Sequence, residues 1–389
     1  MLSPYANGRA GDWRLSGHQV QRRAHLKSRR TLAQLDFVAP DIFDSDGGIG
    51  RIARAMTLAL AHWADRHNVR LVVHALMDQG GRRKIAYLPV PHTYRSYDGA
   101  RPRLVRELMT NAWRDLSRPH LVIFAHPNLA VSGLLLPPWV KIAVVAHGID
   151  VWARLRFERM LALRRADVIW PVSHDTARHL TQTQGVPASQ IKVLHNALDP
   201  CWPLPMRPRR GERNLLAVSR LHPEHTYKGI DLTIEALSGL APGERPHFVV
   251  AGDGPDRPRL EALATKYGIE VTFKGRVSDA RLAELYADAL AFVLPSTGEG
   301  FGLVYLEAMA FALPCIAADA GGATEVVEHE VTGLLVPPRD VPALTAALRR
   351  VLTSEGRTMG LAGRARVERE FLFSSYEARV HSALQALTA

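Results

Sequence analysis

The segment Ala291-Phe292-Val293-Leu294-Pro295-Ser296-Thr297-Gly298-Glu299-Gly300-Phe301-Gly302-Leu303-Val304-Tyr305-Leu306-Glu307-Ala308 decides how the chain folds. Its four leading apolar residues read as a buried strand. Pro295 and three glycines make a turn, and Leu303 opens a helix. Strand, Gly-rich loop and helix form the repeating unit of a parallel sheet, and ligands in such sheets bind beyond the carboxyl ends of the strands. At ~3.6 residues per turn Leu303 and Glu307 share a helix face. Glu307 therefore looks toward the helix N-terminus, where free N–H groups attract phosphate. A carboxylate there can accept hydrogen bonds from vicinal ribose hydroxyls. The bland alternative is a solvent-facing glutamate, but its neighbours Leu303, Val304, Leu306, Ala308 and Met309 are all apolar.

The same rhythm runs outward in both directions. In the second half, strands are expected at Asn214–Val218, His247–Ala251, Val271–Lys274, Ala291–Leu294 and Cys315–Ala318. Helices fall between and after them, including Val341–Ser354 and Arg357–Arg369. The first half repeats it: strands at Leu35–Ala39, Val69–Leu76, Leu121–Ala125, Ile142–Ala146 and Val168–Val172, helices at Ile49–Arg66 and Leu104–Leu116, and an irregular basic stretch at 79–103. Pro200, Pro203, Pro205 and Pro208 mark a linker. The fold class is α/β, with two doubly wound, Rossmann-like domains facing across a cleft. The expected divisions are a disordered leader at 1–34, domains at 35–199 and 200–373, and a final helix at 374–389 crossing back to the first domain.

A chain of 389 residues has room for two such domains. Its two cysteines, Cys201 and Cys315, exclude a disulfide scaffold and a Cys-ligated zinc ribbon. The net charge of +11 is uneven. Residues 1–34 carry seven Lys/Arg against one acid, for +6; 35–200 carry +7 and 201–389 carry −2. The basic leader has no apolar run resembling a secretory signal. No stretch reaches the ~18 apolar residues of a membrane span. Nucleic-acid binding would rest on charge alone, since the chain lacks aromatic–basic interleaving, and it is excluded as a partner.

The other loops that follow strands carry the remaining chemistry. Asp44-Ser45-Asp46-Gly47-Gly48-Ile49-Gly50-Arg51 places Gly48 where a phosphate can meet a helix N-terminus. The aspartates there read as caps and turn residues rather than metal ligands. His147-Gly148-Ile149-Asp150 follows a strand and is placed to reach a cleft, although taken alone His147 reads first as a satisfied structural histidine. Ser219-Arg220-Leu221 and Tyr227-Lys228-Gly229 offer a guanidinium and an ammonium that can clamp a diphosphate. His222 and His225 lack an evident third ligand and read as surface residues. Gly252-Asp253-Gly254-Pro255 is a tight turn beside the cleft.

Taken together, these loops over 35–389 resemble retaining glycosyltransferase family 4, of GT-B architecture. The most specific element is Glu299 and Glu307 with seven residues between them. SRL…YKG, GDGP and Gly321-Gly322…Glu325 accompany it in order. The segment His195-Asn196-Ala197-Leu198-Asp199 departs from the family's usual Asn-Gly-Val-Asp. The resemblance implies a metal-independent, cofactor-free hexosyltransferase using a nucleotide-diphosphate sugar of UDP-glucose or GDP-mannose type. It assigns His147, Glu299, Arg220 and Lys228 to catalysis. Gly48, Arg220, Lys228, Val277, Glu299, Gly300, Phe301, Gly302, Leu303 and Glu307 would bind the donor, with Val277 near the base and the first domain taking the acceptor. A nucleotide-sugar epimerase and a non-catalytic subunit of the same fold stay open as alternatives. The Arg154/Arg156/Arg159/Arg164/Arg165 cluster, interleaved with Leu155, Phe157, Met160 and Leu161, reads either as a basic amphipathic helix suited to anionic lipid or as an ordinary solvated helix. The expectation is a cytoplasmic enzyme, peripheral on the inner membrane face, extending a glycan or lipid-linked oligosaccharide toward exopolysaccharide or lipopolysaccharide.

Overall fold

The computed structural model describes residues 32–43, 47–79, 93–114, 116, 119–205 and 214–388. The leader up to residue 31, the Asp44-Ser45-Asp46 turn, the Arg82-Arg83-Lys84 cluster and Pro208 lie outside them.

Among the described residues, two six-stranded parallel sheets carry the fold. The first holds β1 (Gln34–Ala39), β2 (Arg70–Ala75), β3 (Thr93–Ser96), β4 (His120–Phe124), β5 (Val140–Ala146) and β6 (Val168–Pro171), in the order β3-β2-β1-β4-β5-β6. The second holds β7 (Asn214–Val218), β8 (His247–Ala251), β9 (Val271–Phe273), β10 (Ala289–Leu294), β11 (Cys315–Ala318) and β12 (Gly333–Val336), in the order β12-β11-β10-β7-β8-β9. Strands such as His120–Phe124 and Cys315–Ala318 are buried throughout, because helices cover both faces of a parallel sheet. Alternation within β1 sends Leu35 and Phe37 to one core and Val38 to the other. The helix Gly48–His67 and the C-terminal helix Phe373–Thr388 pack together over the first face. The helices Arg101–Arg114 and Phe157–Arg165 cover the second. This is the expected GT-B arrangement.

The strand order reverses between β1 and β4 and again between β7 and β10. Chain leaving the carboxyl ends of such strand pairs diverges and opens a crevice. The loops concerned carry Gly48 and His126 in the first lobe, and Arg220, Lys228 and Glu299 in the second.

Several boundaries differ from the sequence reading. β1 starts at Gln34 rather than Leu35, and Gln34 Nε2 donates to both oxygens of the fully buried Asp36 carboxylate. That carboxylate also takes His74, Asn111 and His120 as partners, a polar knot far from the crevice. The stretch read as irregular contains β3, and its helix begins at Arg101. With only Tyr94 of its four residues buried, β3 carries no readable alternation. The basic helix starts only at Phe157, so Arg154 and Arg156 precede it. The helices after β12 divide at Leu352–Thr353, where Thr353 Oγ1 accepts from the Glu355 amide and caps a new helix, Ser354–Arg366.

Candidate active site

The Tyr227-Lys228-Gly229 segment is pinned against the Gly298 loop. Thr297 N donates to Tyr227 O at 2.9 Å, and a Cβ on Gly298 would lie 2.6 Å from the Tyr227 ring. Gly229 sits at φ 72 with Pro295 O 2.8 Å from its missing Cβ, so the turn needs glycine there. This docking carries the Lys228 ammonium to Glu299, with Nζ donating to Oε1 at 2.6 Å. Glu299 is 8% exposed. Arg220, two residues beyond β7 in the same connection as Lys228, is exposed. That loop is held by Leu221 N donating to Asp253 O, and by Gly252, whose missing Cβ would lie 1.8 Å from Ser219 O.

At Gly300 the two lobes touch backbone to backbone. A Cβ on it would lie 1.7 Å from His147 O, and one on Gly148 (φ 124) would lie 2.4 Å from Gly300 Cα. His147 therefore stands beside the Glu299–Gly300 turn. Its Nε2 lies 2.6 Å from Ala125 O, an atom that can only accept, so Nε2 carries a proton and donates to it. The His147 amide donates to Asp150 at 3.1 Å. His126, which the sequence did not single out, lies 6.1 Å away ring to ring, and burial pushes its imidazole pKa down against the pull of Asp150.

Gly302 caps the helix Leu303–Ala310 at φ 96. Leu303 faces Gly48, 3.2 Å from the position of its missing Cβ. One turn deeper in each helix, Arg51 faces Glu307 at 3.8 Å. Glu307 is 6% exposed and also accepts from the Tyr286 hydroxyl at 3.1 Å. Burial pushes its pKa up to about 7, while Arg51 and Tyr286 pull the other way. Phe301 is buried against His195 and Phe371, which leaves its backbone rather than its ring at the crevice. Val277 is half-buried, just ahead of Ser278, the cap of the helix Asp279–Ala287.

Glu325 also crosses between lobes. Its carboxylate accepts from the His174 and Asp175 amides and from His195 Nε2, each at 2.9 Å. Burial opposes its ionisation, but these hydrogen bonds hold its pKa below the usual range. His174, His195 and Glu325 bring their ligand atoms within 4.8 Å of one another. With both carboxylate oxygens already committed, the arrangement works as a helix cap. A groove of about 640 Å³ lies beside it, lined by His174, Arg178, Ile191 and His195 among others.

The chain matches two family models: "Glycosyltransferase Family 4" over residues 46–201 and "Glycosyl transferases group 1" over 207–367. A GDP-mannose-dependent alpha-(1-6)-phosphatidylinositol monomannoside mannosyltransferase of Mycobacterium tuberculosis is 32% identical over 62% of this chain and 68% of its own. The chain belongs to glycosyltransferase family 4. A glycogen synthase of the same organism is also 32% identical, over 68% of this chain. That match spans 66% of the synthase's own length. Among solved structures, Anabaena HepE in complex with UDP superposes with a TM-score of 0.70 at 21% identity, covering 91% of this chain and all of that one. Sucrose-phosphate synthase of Thermosynechococcus elongatus gives 0.72 at 22% identity, over 91% of this chain and 99% of that one. At these identities the two structures speak for the fold.

Within this family-4 chain, contacts link Lys228 to Glu299, Gly300 to His147 and Gly48 to Leu303 along one seam between the lobes, with Glu307 one turn deeper and Arg220 exposed at the start of the Lys228 connection. Sequence reading passed over Arg51, His126 and the lobe-bridging geometry of Glu325. Arg51 stood in the quoted Gly-rich loop, one helical turn beyond Gly48. That spacing was the available signal.

Proposed function

We propose that this chain is a retaining, metal-independent glycosyltransferase. It would move a hexose from a UDP- or GDP-sugar to a glycan or lipid-linked oligosaccharide in exopolysaccharide or lipopolysaccharide synthesis. The observation that carries this reading is the Lys228–Glu299 pair at the foot of a Gly-capped helix, directly beside His147 of the other lobe. The diphosphate gains charge as the bond from the sugar's C1 to phosphate oxygen breaks. Lys228, Arg220 and the free N–H groups at Leu303 supply the compensating positive charge without a metal ion. Glu299 is placed to accept from sugar hydroxyls. The acceptor oxygen bonds to C1 on the face the diphosphate leaves, and its proton passes to the departing phosphate oxygen, so configuration is kept.

A thermal-shift panel of sugar nucleotides tests this. A donor at a hundred times its Kd stabilises the folded state by about 2.7 kcal/mol, so one UDP- or GDP-sugar should raise Tm by several degrees. No shift with any member of the panel would sink the reading.

A peripheral membrane location draws support from the helix layer over the second face of the first sheet. Trp113, Leu135, Trp139, Phe157 and Leu161 are all exposed there, with Trp113 and Trp139 meeting edge to face at 4.9 Å. Arg154, Arg156 and Arg164 are exposed beside Phe157 and Leu161. Indole rings and guanidinium groups together suit a headgroup layer of anionic lipid. Among the described residues no helix is long and apolar enough to cross a membrane. The protein is expected to co-sediment with anionic vesicles and to lose most of that binding in Trp113→Ser/Trp139→Ser. Equal recovery on neutral vesicles would refute the lipid reading.

A further inference from the structure

Arg51 is a cation buried in the seam between the lobes. It belongs to the helix Gly48–His67 of the first lobe, yet only 7% of it is exposed. One guanidinium nitrogen binds Asp279, and the other lies 3.8 Å from Glu307 Oε1. The plane of the group lies over the Trp202 ring, 4.9 Å from its centroid. Trp202 in turn meets Tyr286 edge to face at 5.8 Å, and Tyr286 donates to the second oxygen of Glu307. Both oxygens of Glu307 are thus held, one from each lobe.

We propose that Arg51 is a positioning residue for the donor: it reaches across the seam to keep the Glu307 carboxylate ionised and aimed, so that full donor affinity is available only when the lobes are closed. This rests on the reading of Glu307 as the acceptor of ribose hydroxyl hydrogen bonds. A charged carboxylate accepts from two vicinal hydroxyls far better than a protonated one. Among the described residues, four charged or titratable groups act on Glu307. Arg51 comes from the first lobe's helix, Asp279 and Tyr286 from the helix Asp279–Ala287, and Asp199 from the segment joining the lobes. Asp199 is itself paired with Arg54 at 3.7 Å. Arg51 is the cation among these, set against an apolar surround that favours the neutral acid.

Glu307 has a folded-state pKa raised by burial to about 7, so the carboxylate form is lost as pH falls through that region. Without Arg51 the loss moves to higher pH. The test is UDP and GDP affinity by calorimetry from pH 6 to pH 9.5, with the Glu307 carboxyl signal followed by NMR without nucleotide. Arg51→Met should bind nucleotide about tenfold more weakly at pH 7.5 and recover toward pH 9.5. Arg51→Lys should leave the Glu307 titration close to the parent's, because the charge remains, while losing part of the affinity, because one ammonium cannot hold Asp279 and face Glu307 at once. Glu307→Gln should keep only the inflections that the nucleotide's own phosphate and base bring, and adding Arg51→Met to it should create no further one. An Arg51→Met variant whose Glu307 signal titrates as in the parent overturns the inference. So does a loss of affinity that is equal at every pH, which would mark Arg51 as packing only. Failure of the parent protein to bind either nucleotide would instead overturn the donor reading, and the role of Arg51 in donor binding with it.

Discussion

Lys228→Ala is expected to lower sugar transfer by about a hundred- to a thousandfold, with the larger part in kcat rather than in donor KM. The size is that of removing one fixed donor aimed at charge that develops in the transition state. The split follows from when the charge appears, because a diphosphate leaving group becomes more anionic as the glycosidic bond breaks. An interaction that strengthens along that path acts on the transition state more than on the bound donor. The pair with Glu299 adds a second effect. At 2.6 Å, with the two side chains 20% and 11% exposed, Lys228 orders Glu299 and neutralises it. Alanine at 228 leaves that carboxylate nearly buried without its cation and repelling the donor phosphates. Glu299→Ala should be comparably severe, and the double variant should lose less than the sum, since each single change already breaks the shared contact. Steady-state kinetics on the donor that passes the thermal-shift panel would check this. Near-normal turnover in both single variants would remove the site assignment.

What the sequence discloses here depends on how local each feature is. Strand β10, its Gly-rich turn and the following helix lie in one continuous stretch. Period and glycine placement therefore sufficed for the unit and, repeated, for two doubly wound domains. The four-residue spacing of Leu303 and Glu307 likewise fixes that they share a face. The structure sets them against Gly48 and Arg51, which share a face of the helix opposite. The partners themselves were not readable. Arg51 and Asp279 are 228 residues apart and Lys228 and Glu299 are 71 apart, and no local pattern encodes such pairs. Glu325 showed the same gap. Gly321-Gly322 marked its turn, but its reach to the His174 and Asp175 amides exists only once the lobes have closed. Short edge strands were missed for a different reason. Thr93–Ser96 has one buried residue, and Gly333–Val336 opens on a glycine and runs into Pro337-Pro338, so neither offers the four consecutive apolar residues that mark Cys315–Ala318. The charge asymmetry was legible as arithmetic but not as surface. The exposed tryptophans beside the arginine cluster come from two separate segments, around Trp113 and Trp139.

Gly300→Ala is expected to abolish productive closure while leaving both lobes folded. The new methyl carbon would stand 1.7 Å from His147 O and 3.1 Å from Gly148 Cα, both of them backbone atoms of the opposite lobe. No rotamer change relieves a clash between a Cβ and a carbonyl, so the lobes must separate by more than an ångström. The substitution carries no conformational penalty of its own, since Gly300 is not among the glycines held at positive φ. The cost therefore falls on the interlobe contact. Separation at this point pulls His147 away from Glu299 and loosens the Arg51–Glu307 and Glu325–His174 links, which all span the same seam. Displacing catalytic groups by about 1 Å costs on the order of a hundredfold in rate, and the loss here should be at least that. Because Lys228, Glu299 and the Leu303 helix end lie in one lobe, Gly300→Ala should still bind nucleotide, within about tenfold of the parent if Arg51 contributes what is proposed for it. Gly243→Ala makes the matched control: nothing lies within 4 Å of its missing Cβ, and activity should be unchanged. Kinetics paired with small-angle scattering on the nucleotide-bound proteins separates the outcomes. A Gly300→Ala enzyme with normal turnover and an unchanged radius of gyration would mean that this contact is not the closed state in which the transfer occurs.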